Sequence, residues 1–81
     1  MRTVTIELGH PVTVDKQKYG QLSLRAPKVR DELAARKNTE SAEEFELTLF
    51  SNLCEVSRDV IEELEMVDYG KLQAAYRDFL S

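Results

Sequence analysis

The residues able to do chemistry are few and poorly spaced for it. A nucleophilic centre needs a thiol or hydroxyl beside a base, and the chain has one histidine, His10, and one cysteine, Cys54. His10 sits in a Gly-His-Pro step and reads as an exposed loop residue. Cys54 lies within an apolar run and reads as a buried free thiol. A Cys54–His10 dyad would require the central helix to meet the first turn, and no spacing enforces that meeting. The carboxylates Glu43, Glu44, Glu46 and Glu62, Glu63, Glu65 lack the alternating oxygen donors and central glycine of a calcium loop, so they read as solvated faces. Zinc spacing, a glycine-rich phosphate loop and a nucleophile elbow are absent from the sequence. We therefore expect no enzyme, no cofactor and no metal.

Charge offers a second route to function. Lys16, Lys18, Arg25, Lys28 and Arg30, with Tyr19 to stack on a base, are a possible phosphate-binding group, but Asp15, Asp31 and Glu32 interrupt it. The net charge of −4 is divided unevenly. Residues 1–39 hold eight Lys/Arg against four Asp/Glu, a balance of +4, and residues 40–81 hold three against eleven, a balance of −8. That asymmetry suits docking to a charged protein or to a second copy better than nucleic-acid binding.

These residues must be carried by one small domain, because 81 residues allow a single modest core close to the size limit for independent folding. One cysteine excludes an internal disulfide, which fits a reducing cytoplasm. No stretch approaches the roughly 20 apolar residues of a membrane span, and the N-terminus alternates polar and apolar residues where a signal core would be continuous.

The central element is the stretch 41–56. At about 100° per residue, Phe45, Leu49, Leu53 and Val56 form one stripe, with Leu47, Phe50 and Cys54 beside it, and Ser41 with Glu44 reads as a capping box. The apolar face is wider than one packing stripe needs. Upstream, residues 3–8 alternate as a half-buried strand with Val4, Ile6 and Leu8 on one face. Gly9-His10-Pro11 reads as a turn, Val12-Thr13-Val14 as a short extension, 15–20 as a loop or turn tip, and 21–25 as the return strand with Leu22 and Leu24 inward. Helix one is expected over 27–37, with Val29 and Leu33 as its narrow apolar line. A short helix follows over 58–65, capped by Ser57, with Val60, Ile61 and Leu64 apolar. Met66-Val67 reads as a link, and Asp68 as the N-cap of a last helix over 69–80. The expected fold is α+β: a single domain over 1–81, with a β-hairpin in 1–26 packed against three or four helices in 27–80.

Taken in order, His10-Pro11, the stretch Leu22-Ser23-Leu24-Arg25-Ala26-Pro27-Lys28-Val29-Arg30-Asp31, the apolar helix, and Asp68-Tyr69-Gly70-Lys71-Leu72-Gln73 with a closing Phe79-Leu80 resemble the short tail assembly chaperone family of tailed phages and prophages, of the Mu-like E type. The resemblance spans nearly the whole chain. It implies a non-enzymatic factor that binds the tape measure protein before the tail tube polymerises around it, with the tail tube protein and a second copy of the chain as further candidate partners. It also implies action in the host bacterial cytoplasm and absence from the mature virion. In many such phages a longer frameshifted form exists, and this chain would correspond to the short one. Phe45, Leu49, Phe50, Leu53 and Tyr76 are the candidate protein-binding anchors, in the manner of a helix laid in a groove, with Phe50 and Tyr76 expected to be exposed. The competing expectation is a small acidic adaptor, antitoxin-like, that masks a basic protein partner.

Overall fold

The computed structural model describes residues 2–37 and 39–81. Its elements run β1 (Thr3–Val14), β2 (Gln17–Arg25), α1 (Val29–Arg36), α2 (Ala42–Cys54), α3 (Arg58–Glu63) and α4 (Met66–Leu80), an α+β order with the hairpin first.

The hairpin is longer and tighter than its composition suggests. β1 and β2 pair antiparallel from Thr3 opposite Arg25 to Val14 opposite Gln17. They are joined through Asp15 and Lys16, both left-handed with φ of 52° and 67°. Positive φ at both central residues is the type I′ geometry whose twist matches the flanking strands. The turn tip expected over 15–20 is thus confined to Asp15 and Lys16, and Gln17 to Gly20 belong to β2. Nor does Gly9-His10-Pro11 reverse the chain. The ladder is irregular between Glu7 and Val12, so these residues form a bulge within β1. Pro11 has no donor for the ladder, and the amides of Gly9 and His10 bond elsewhere, as described below.

One face of the hairpin is covered. Ile6, Leu8, Leu22 and Leu24 are buried against Leu49, Phe50 and Leu53 of α2, Val60 and Ile61 of α3, and Leu72 of α4. Helix α2 packs on α1, α3 and β2, while α3 and α4 pack on β1. The Ser41 hydroxyl caps α2 by accepting the Glu44 amide at 3.1 Å, but the Glu44 carboxylate pairs with Arg58 instead of closing the box. The helix stops at Cys54 because Glu55 is left-handed, with φ 56°. That is the usual way to end a helix, here without the usual glycine.

Helix α1 is turned the opposite way from its apolar line. Asp31 and Ala35 are buried, whereas Val29 and Leu33 are 78% and 68% exposed. The reason is a bidentate ion pair: Arg25, at the end of β2, holds Asp31 through Nη1–Oδ2 at 2.8 Å and Nη2–Oδ1 at 2.7 Å. Asp31 also accepts the Lys28 amide at 2.8 Å. Paired guanidinium and carboxylate planes fix orientation strongly, so they set the rotation of α1 and leave its hydrophobes outside.

Helix α4 begins at Met66, three residues before its expected start at Tyr69. Met66 and Val67 are its first residues and are exposed, and Asp68 lies inside the first turn, fully buried. The Asp68 carboxylate accepts the Gly9 amide at 2.9 Å and the His10 amide at 3.0 Å. Lys71 adds contacts to Asp68 at 3.1 Å and to the Glu7 carbonyl at 2.9 Å. Helix α3 ends at Glu63 because Leu64 is extended and buried.

Candidate partner-binding groove

Helix α2 buries one side in the core and leaves Glu43, Glu46 and Leu47 to wall an open groove of about 740 Å³. Ile61 and Glu62 of α3, Leu64, and Met66, Tyr69 and Gln73 of α4 complete it. The floor is apolar. Leu47 and Tyr69 are half-buried, and Met66 at the lip is 78% exposed. A concave apolar surface of this size rimmed by polar groups is the usual form of a binding site.

The rim carries three carboxylates, Glu43, Glu46 and Glu62, against one guanidinium, Arg58. Arg58 is already engaged, with Glu44 and with Glu62 at 2.9 Å. Glu46 accepts hydrogen bonds from the Tyr69 hydroxyl and, at 2.9 Å, from Gln73 Nε2. These donors are neutral and leave its charge in place. Burial, with Glu46 beside it, pushes the Tyr69 phenol well above its ordinary range. Tyr69 is therefore a fixed, protonated donor, and its ring is supported from beneath by Phe50 at 5.6 Å.

The five candidate anchors are not brought to one surface. Leu49, Phe50 and Leu53 are buried in the core, and Phe50, expected to be exposed, is fully enclosed. It fills the space under the two tyrosines, with centroids 5.6 Å from both Tyr69 and Tyr76. Tyr76 is half-buried, and Phe45 is half-buried under the Arg36 guanidinium, 4.2 Å from its ring centroid. Leu47 and Met66 line the groove instead. The signal for Met66 was an apolar pair, Met66-Val67, beside an aspartate whose own side chain is taken up by the core.

A second, smaller cleft of about 180 Å³ lies between Val29 and Glu32 of α1 and Tyr76 and Leu80 of α4. Leu33 and Leu80 are exposed beside it.

The chemistry-bearing residues stay apart. His10 is exposed on the β1 bulge, and Cys54 is buried, its thiol pushed up to about 12 by desolvation, the opposite of an activated nucleophile. Among the described residues no group of carboxylates, histidines and cysteine is placed to hold a metal. Of the basic cluster, Arg25 is committed to Asp31, and Lys16 and Lys18 sit at the hairpin tip, away from Lys28 and Arg30 on α1.

An open, acid-rimmed apolar groove, in a chain whose thiol is held in its unreactive form, is a surface of the kind that suits another protein better than a covalent reaction. The chain belongs to the family of phage tail assembly chaperone proteins, E, or 41 or 14, whose model matches residues 5–81. Comparison with curated proteins and with solved structures gave no match.

Proposed function

We propose that this chaperone binds the tape measure protein, holding one of its amphipathic helical segments in the groove between α2, α3 and α4 until the tail tube encloses it. The observation that carries the reading is the groove itself: apolar along Leu47, Leu64 and Met66 and negative at the rim. It suits a helix with apolar anchors at i, i+3 or i+4 and Lys or Arg on its flanks. Binding of this kind needs no covalent step, so the role is non-enzymatic, exercised in the host cytoplasm and finished before the virion matures. Of the earlier candidate anchors, Phe50 supports the Tyr69 wall from below, and Phe45 and Tyr76 lie at the margins of α2 and α4.

Co-expression with the tape measure protein from the same genome tests this. Soluble yield and co-purification should rise with the wild-type chain and persist at high salt, because apolar burial is not screened. Met66→Glu should abolish both while leaving the melting temperature within a few degrees, roughly the effect of surface changes, because Met66 is exposed at the lip. A complex that forms only at low salt and ignores Met66→Glu would favour the acidic adaptor that masks a basic partner. No complex at any salt would remove the tape measure reading.

A further inference from the structure

Helix α1 presents outward what the groove would take inward. Opposite its buried Asp31 and Ala35, the exposed face has Val29 and Leu33 at its centre. Arg30 and Lys37 flank them, Lys28 stands at the cap, and Arg36 is paired with Glu32 at 3.3 Å. The groove is the complement, an apolar floor with Glu43, Glu46 and Glu62 on its rim. We infer that the groove of one copy receives the α1 face of a second copy of this chain, with Leu33 against Leu47 and Met66 and the basic flanks against the carboxylates.

The two surfaces lie on different sides of α2. Phe45, under Arg36, faces α1, and Leu47 faces the groove; they are two residues, or about 200°, apart around the helix. A copy cannot fill its own groove with its own α1. The contact is heterologous, head to tail, so it extends into a chain or closes into a ring instead of stopping at a two-fold pair. Eight residues of helix bury well under about 1,200 Å², the scale of weak encounters, so assembly depends on concentration and weakens with salt.

The test uses the purified chain alone, so its outcome is separate from that of the tape measure experiment. Sedimentation velocity of the wild type from roughly 10 μM to 1 mM, a range spanning weak affinities, should show a rising weight-average coefficient that falls back in high salt. Leu33→Glu disables the helix face and Glu43→Lys/Met66→Lys disables the groove. All three residues are exposed, so circular dichroism should show both variants folded, and Arg30→Glu serves as a second helix-face variant. Each variant alone should sediment as a monomer. Mixed, they should form a species that stops at two copies, since one supplies a good groove and the other a good helix. A wild type that stays monomeric throughout overturns the proposal. So does a variant that still assembles alone, or a mixture that remains monomeric where the wild type assembles.

Discussion

The carboxylate of Asp68 accepts the backbone amide of Gly9 at 2.9 Å across 59 residues of chain. Its second oxygen takes the next amide, of His10. A bulge freed from the ladder leaves amides to be satisfied, and Asp68 satisfies two with one buried charge. These hydrogen bonds and Lys71 hold its carboxyl below the usual carboxylate range. Asp68→Asn removes the charge and one acceptor, and should lower the melting temperature by on the order of 10 °C. Asp68→Ala should lower it further, and thermal unfolding followed by circular dichroism measures both.

Acid should unfold the domain partly through Asp31. Its hydrogen bonds to Arg25, opposed by burial and aided by the Lys28 amide, hold it at about 2, below the unfolded value of about 3.9. A depressed carboxylate stabilises the fold fully above the unfolded value, and that contribution is lost as pH falls toward 2, because the unfolded chain takes the proton first. Its size is on the order of 1–2 kcal/mol after allowing for solvent screening. Asp31→Asn should be less stable at neutral pH and show a flatter denaturant midpoint between roughly pH 4 and pH 2.

The two ion and hydrogen-bond clasps also show what could be read in advance. The residues that carry the family resemblance, Arg25 and Asp31, then Asp68, Tyr69, Lys71, Leu72 and Gln73, hold the elements together or seat Glu46 at the groove. Order and spacing were therefore legible, as were the hairpin, the Ser41 cap and the alternation that buries Ile6, Leu8, Leu22 and Leu24. The rotation of α1 was not, because periodicity assumes that hydrophobes face inward, and here a partly buried Arg25–Asp31 pair decides the matter. A turn within 15–20 was legible, but its confinement to Asp15-Lys16 was not, because neither residue is glycine. The groove was hidden for a different reason: each of three helices contributes only three or four residues, and their convergence is a tertiary fact.

Phe50 separates packing from docking. It is fully enclosed between two tyrosines, so Phe50→Ala should cost about 3–5 kcal/mol, a large share of what a domain this size holds. Phe50→Glu should fail to fold, reporting on the core and not on any partner. Urea denaturation of the alanine variant beside Met66→Ala, which should change little, makes the distinction.

Cys54 should report the opening of the same core. Its thiol is buried and held protonated at neutral pH, so a disulfide reagent should react with the native chain at least roughly 100-fold more slowly than with the urea-unfolded chain. Because the folded value lies above the ordinary thiol value, the unfolded state ionises first on the alkaline side. Stability should therefore decline as pH rises above about 9.

The Asp68 clasp also sets a schedule for synthesis. The bulge of β1 emerges among the first residues translated, yet its amides wait for a side chain made 59 residues later, seconds afterwards at roughly 5–20 residues per second. Until α4 arrives, β1 lacks one of the two helices that pack on it, and Phe50 of α2 lacks both of its tyrosine neighbours. The nascent chain thus passes through an exposed condition of the kind that chaperones in general exist to cover.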